Sequence, residues 1–328
     1  MRTQNLHDTW SVPRLIEREP TDGHHLTKRT ADGTFNDLES PTMGSAGMPF
    51  GRNVPLEHTY PENSWSIRNG PNPHTVSRVL LTRDTFKPAT TLNLLAASWI
   101  QFMVRDWLSH GKGDMNNPWE LELGEDDPWT ETPMRIPRTP QATRSPSDTS
   151  PPTFINTETH WWDGSQIYGS NKEIQDKIRE GQQHGKIRVD LIVPVDPDPS
   201  RDPAGEPGFW VGFAMMHALF SREHNAICDR LHAEYPSWPG DELFDRARLI
   251  NAALMAKIHT VEWTPAILGH PTLQVAMRAN WWGLASEQIH KLFGRISRSE
   301  VISGIPGSAK NHFGVPYAIT EEFVAVYR

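Results

Sequence analysis

Proline sets the first limit on this chain. Its 28 prolines are spread unevenly, and two passages, "DPWTETPMRIPRTPQATRSPSDTSPPT" and "PVDPDPSRDPAGEPG", hold runs of them among Ser, Thr and Asp. A proline inside a helix lacks the N–H that the ladder needs and clashes with the preceding turn. Neither passage can pack as helix, and both are expected to be extended surface loops. Residues 1 to 85, rich in Pro, Gly, Asn and Asp, are expected to form an irregular arm wrapped on a core. Helical structure is thereby confined to the windows in between.

Those windows carry clear helical period. Leu92, Leu95, Ala96, Trp99, Met103 and Trp107 recur at three- and four-residue spacing, which predicts a buried helix preceded by Pro88, with Thr90 and Thr91 as candidate caps. Phe213, Met216, His217, Phe220, His224, Ile227 and Leu231 make a second stripe, and Leu243, Ala247, Ile250, Leu254 and Ile258 a third. "SEQIHKLFGR" is shorter and should end at Gly294. Strand signals are few and no repeat is present. The reading is a mainly α fold in a single domain over residues 1–328, with the arm at 1–85 and a helical core at 86–328.

Charge and cysteine usage narrow the class. A formal net charge of -8 gives no basic footprint for nucleic acid, and the lone Cys228 excludes an internal disulfide framework. "MRTQNLHDTW" lacks the apolar core of a signal peptide, and "LNLLAASWIQFMV" is too short and too polar to span a bilayer. The expected location is cytoplasmic or peripheral to a membrane.

Four stretches could carry chemistry. In "THWWDGSQIYGS", Thr159, Trp161, Asp163 and Ser165 alternate, so an extended segment puts them on one side. Hydroxyl, carboxylate and carbonyl oxygens suit a hard cation such as calcium, although the same residues also form turns. In "WIQFMVRDW", Gln101 and Arg105 stack on one helix face while Asp106 points about 100° away from Arg105. A charged Arg on an apolar helix needs a carboxylate partner or a polar cavity. In "MHALFSREHNAICDRL", His217 and His224 lie two turns apart, about 10 Å along the axis, too far to share a metal, and read as packed core histidines. In "AKIHTVEWTPAIL", His259 sits near the end of a helix that Pro265 should terminate, either lining an anion pocket or serving a structural role.

Taken in order, "LNLLAASWIQFMVRDW", "THWWDGSQIYGS", "MHALFSREHNAICDRL", "AKIHTVEWT", "MRANWWGL" and "NHFGVPYAITEEFVAVYR" closely resemble the fatty-acid α-dioxygenases. These belong to the haem peroxidase superfamily that also holds cyclooxygenases and myeloperoxidase. The resemblance implies a haem-peroxidase-like helical domain. It also implies a calcium site of Asp106, Thr159, Trp161 (through its carbonyl), Asp163 and Ser165. It places on Tyr327 the tyrosine that becomes a radical and takes hydrogen from the carbon next to a fatty-acid carboxylate, where O2 then adds to give a 2-hydroperoxy acid. His259 and Thr264 fall on the family's carboxylate-binding His and Thr, whose partner Arg is expected in a region beyond this chain, and Gln101 falls on a polar haem-pocket position. The implied cofactors are a non-covalent haem b and calcium, because Phe209 and Trp210 stand where mammalian peroxidases attach haem covalently.

Two departures qualify this. The family's proximal haem-ligating His follows the tyrosine at a point beyond Arg328, so this chain contains no proximal ligand and the resemblance implies C-terminal truncation. Arg105 stands where the family has its distal His. A guanidinium cannot act as a base toward peroxide, although it can stabilise negative charge. His110 projects about 140° away from Arg105 on a regular helix and is a poor substitute. The expected activity is α-dioxygenation of fatty acids. A general haem peroxidase acting on peroxide is an alternative, and so is a non-catalytic fragment in which any haem would need His217, His224 or His259 as ligand.

Overall fold

The computed structural model describes residues 23–38, 40–55, 58, 70–143, 153–181, 183–189, 210–307 and 317–327. The fold is mainly α. In chain order the helices are α1 (Pro73–Leu81), α2 (Leu94–Trp107), α3 (Ser165–Tyr168), α4 (Lys172–Ile178), α5 (Val211–Glu234), α6 (Gly240–Ile258), α7 (Thr264–Ile267), α8 (Pro271–Trp282), α9 (Ser286–Phe293), α10 (Glu300–Ser303) and α11 (Glu321–Tyr327). One antiparallel ribbon pairs β1 (Asp114–Leu121) with β2 (Met134–Arg138). Among the described residues no helix is long and apolar enough to cross a membrane.

The core lies where α5 packs between α2 and α6, with short α3 closing one side. Phe102 of α2 is fully buried, stacks on Phe220 of α5 at 5.5 Å and meets Phe213 at 6.0 Å. Trp99, Met103, Tyr168, Phe244 and Met255 belong to the same cluster. Removing any one of these large side chains would leave a cavity costing about 3–5 kcal/mol for an aromatic.

Several expectations need correction. The arm contains a helix, α1, whose start Asn72 caps by accepting from the His74 and Thr75 N–H groups, with Pro73 in the first turn. It buries none of its residues, so no apolar stripe announces it. Helix α2 is capped by Asn93 and not by Thr90 or Thr91, and its first turn is exposed at Leu94 and Leu95. The first proline-rich passage contributes β2, with Pro137 inside it; prolines survive there because a two-stranded ribbon is all edge. The second passage lies outside the described residues, as does Phe209. The α6 stripe is rotated: Phe244, Arg248, Asn251 and Met255 face inward with Leu243 and Ala247, whereas Ile250 is exposed. Gly294 ends α9 in a left-handed conformation, as the sequence predicts.

Pro265 does not stop the helix after α6. The chain widens into a π-turn at His259–Trp263 and continues as α7, with Pro265 in that helix's first turn. The Thr264 N–H bonds back to the His259 carbonyl, and the Thr264 hydroxyl donates to the same oxygen at 2.7 Å. The extra residue in the turn accommodates the missing proline N–H, and such π-bulges recur at functional sites.

The arm and α11 are bound to this core. Gly51 bridges Thr320, Arg52 pairs with Glu322 at 2.8 Å, and His110 pairs with Glu321 at 2.9 Å. His110 is therefore turned toward α11, and the ring leaves the α2 face that carries Arg105.

Candidate active site and cation cluster

Two adjacent residues at the end of α2, Asp106 and Trp107, take part in two different sites. Asp106 belongs to a buried oxygen cluster. The loop before α3 brings Thr159, Asp163 and Ser165 to it, all essentially without solvent exposure. The Ser165 N–H donates to Asp106 Oδ1 at 2.6 Å, and the Ser165 hydroxyl to Asp163 Oδ1 at 2.7 Å. The single hydroxyl proton of Ser165 is thus used, so Thr159 Oγ1 donates to Ser165 Oγ at 3.1 Å; it also lies 3.5 Å from the Trp161 carbonyl. The alternation seen in the sequence therefore converges in space with Asp106 from a distant helix. The arm seals the outside: Trp161 donates to the Met43 carbonyl at 3.1 Å and stacks on Tyr317 at 4.4 Å. Gly33 and Gly44 adopt left-handed backbone there, and a side chain on either would collide with Thr159 or Trp161.

Charge in this cluster is unusual. Burial raises the Asp106 carboxyl well above the ordinary range, and the negative charge of Asp163 raises it further, against the N–H groups of Ser165 and Gly164 and the charge of Arg248. Arg248 is the residue that sequence reasoning missed. Fully buried on α6, it holds Asp163 Oδ2 at 3.3 Å and donates to the Thr30 carbonyl of the arm at 3.0 Å. The signal that could have found it was a charged residue one turn beyond Phe244 on the buried face. Two carboxylates with hydroxyl and carbonyl oxygens around them are the donor set of a hard cation. Among the described residues no group of three or more His, Cys, Asp or Glu side chains converges for a metal.

Trp107 looks instead into an aromatic cage around His259. Trp263 stacks on the imidazole at 4.8 Å, Trp162 and Trp107 meet it edge-to-face at 5.2 and 5.6 Å, and Trp99 lies at 6.5 Å. The Trp99 indole donates to His259 Nδ1 at 3.2 Å, which leaves Nε2 to carry the ring proton. Burial holds the imidazole neutral, its pKa lowered to about 4. Thr264 shares the turn, with its hydroxyl proton given to the His259 carbonyl. Phe323 of α11 packs against Trp107 at 6.2 Å, so one ring separates the cage from the helix that ends in Tyr327. The Tyr327 side chain lies outside the described residues.

Gln101 and Arg105 share one face of α2, as their spacing predicts, and both meet the start of α5. Gln101 accepts a hydrogen bond from Trp210, and the Arg105 guanidinium sits over the Phe213 ring at 4.8 Å. The core histidines are structural in their bonding. His224 bonds Tyr168 and the Gly185 carbonyl, each at 2.9 Å, and burial lowers its pKa to about 4.

The sequence pattern of the animal haem peroxidase family matches residues 28–328, and the chain belongs to that family. Within it the similarity is to α-dioxygenases. An alpha-dioxygenase PIOX of Nicotiana tabacum is 34% identical over 99% of this chain and 49% of its own, and an alpha-dioxygenase 1 of Capsicum annuum is 36% identical over the same shares. The crystal structure of a fatty acid alpha-dioxygenase from Arabidopsis thaliana superposes with a TM-score of 0.84 at 33% identity, covering 100% of this chain and 50% of that one. A crystal structure of a tyrosine-to-phenylalanine variant of the Oryza sativa enzyme with palmitic acid matches at 0.78, with 32% identity over 92% of this chain and 49% of that one. The chain spans about half the length of the curated relatives it matches.

Proposed function

We propose that this chain serves the α-dioxygenation of long-chain fatty acids, with a non-covalent haem b, and that calcium is the structural ion of the Asp106 cluster. The observation that carries the reading is the His259 cage: an apolar, tryptophan-lined box with a neutral donor of fixed tautomer, one ring away from the helix bearing Tyr327. Haem, when bound, supplies the oxidising power that turns Tyr327 into its radical. His259 Nε2–H donates to the substrate carboxylate, and Thr264 joins it once its hydroxyl turns away from the His259 carbonyl. The held acid presents the neighbouring carbon, from which Tyr327 takes a hydrogen atom. O2 adds to the carbon radical, and the peroxyl group takes a hydrogen atom back from Tyr327, giving the 2-hydroperoxy acid with atoms and electrons balanced.

The residues near the start of α5 fit the distal side of a non-covalently held haem, and none of them is an iron ligand. Trp210, where a covalent link would form, has no carboxyl or thioether and is engaged with Gln101. Gln101 and Arg105 would line the distal side. Arg105 stays protonated, so it can stabilise negative charge but cannot shuttle a proton. Arg105→His is expected to speed activation by peroxide, read in a stopped-flow absorbance trace. Calcium would take Asp106, Asp163, Thr159, Ser165 and the Trp161 carbonyl, tying α2 to the loop before α3.

Oxygen uptake by the haem-loaded protein with hexadecanoate tests the reading. Uptake that disappears with hexadecan-1-ol supports it. Peroxide-driven oxidation of a phenol, with no uptake on hexadecanoate, overturns it in favour of a general peroxidase.

A further inference from the structure

Trp107 is 3% exposed, yet its indole N–H, buried with it, donates to no acceptor among the described residues. Its neighbours in the cage are provided for: Trp99 donates to His259 Nδ1 at 3.2 Å and Trp263 to the Ala96 carbonyl at 3.4 Å. A buried donor left unpaired is costly, and a phenylalanine in the same slot would not carry that cost. An unpaired buried donor beside two indoles that are paired points to an acceptor that arrives from outside.

The chemistry of the box says which acceptor. His259 offers one N–H, and the nearby Thr264 proton is committed to backbone. A carboxylate has two oxygens with about four lone-pair sites, so the His259 N–H, even when joined by the Thr264 hydroxyl, leaves acceptor sites for a further donor. Trp107 lies edge-to-face with His259 at 5.6 Å, which sets its buried indole beside the imidazole that would hold the carboxylate. We infer that Trp107 Nε1–H is a further donor to the carboxylate held by His259 and Thr264, so that the cage itself contributes to recognition of an aliphatic acid. This rests on the proposed function and assigns that site a further binding residue.

The test is equilibrium binding of hexadecanoate and of hexadecan-1-ol to the purified full chain, read as the preference for acid over alcohol. Trp107→Phe, and separately replacement of Trp107 by benzothienylalanine, which keeps the indole shape and removes only the N–H, should each cut that preference about tenfold, because hydrogen bonds to charged acceptors are the stronger ones. A merely structural role would weaken both ligands alike and leave the preference unchanged, which overturns the inference. His259→Gln separates the two claims. If it abolishes the preference while both changes at 107 preserve it, the inference falls and the reading stands. If the unaltered chain shows no preference, or His259→Gln leaves it intact, the reading itself fails.

Discussion

Asp106 and Trp107 are neighbours in sequence and belong to opposite kinds of site. The Asp106 cluster gathers charge: two buried carboxylates and a buried guanidinium, Arg248, joined to hydroxyl and carbonyl oxygens. The Trp107 side has none of this, only a neutral imidazole among indoles. Helix α6 repeats the contrast, with Arg248 in the first site and His259 immediately after its end in the second. Two helices thus hold a charged joint and a neutral pocket in fixed relation. Buried charge is costly unless paired, so the joint should govern stability; the pocket, which has donors to spare, should govern affinity.

The largest expected effect probes the joint. Asp163→Ala strands the Arg248 guanidinium in the core and should cost about 3–5 kcal/mol in urea unfolding. His259→Gln should cost less than about 1 kcal/mol in the same experiment. Equal losses would erase the distinction between the two sites.

Calcium sharpens it next. At a concentration about a hundred times its Kd, an ion that binds only the folded chain adds about 2.7 kcal/mol, seen as a rise in Tm. Asp106→Asn should remove that rise while leaving fatty-acid affinity within about twofold of its starting value.

Acid should act on the buried histidines and on Asp106 with opposite sign. His160, His224 and His259 are held at about 4 by burial, against an ordinary value near 6.5. The unfolded chain binds more protons between those values, so their contribution is complete above pH 6.5 and is lost as pH falls toward 4. Asp106 has the opposite sense: without a bound cation its raised carboxyl favours the folded state on the acid side and loses that advantage as pH rises. Unfolding midpoints between pH 4 and 7 should therefore fall on acidification less steeply in wild type than in Asp106→Asn.

The smallest effect is at Trp99. Trp99→Phe frees His259 Nδ1 and releases the ring from one tautomer, which should weaken hexadecanoate binding about two- to tenfold.

How far the sequence revealed these two sites follows from their construction. The oxygen cluster was visible because most of its members alternate within seven residues of one segment, and alternation is a local signal. Its counter-ion was not, because Arg248 lies in another helix and a periodicity read from apolar residues alone placed Ile250 on the buried face. The α2, α5 and α6 helices were legible from their stripes, but the π-turn was not, since Pro265 ordinarily ends a helix and only the doubled bonding to the His259 carbonyl lets this one continue. The His259 cage draws its tryptophans from α2, the loop before α3 and the π-turn, and no local pattern announces such an assembly. Helix α1 escaped notice for a different reason: with no buried face, it is specified by its Asn72 cap.

The most direct measurement is product analysis with isotopically labelled dioxygen on the haem-loaded protein supplied with hexadecanoate. The account predicts both labelled oxygen atoms on the carbon next to the carboxylate, with the signal lost in Tyr327→Phe. Label absent from that carbon, or unaffected by Tyr327→Phe, would contradict it.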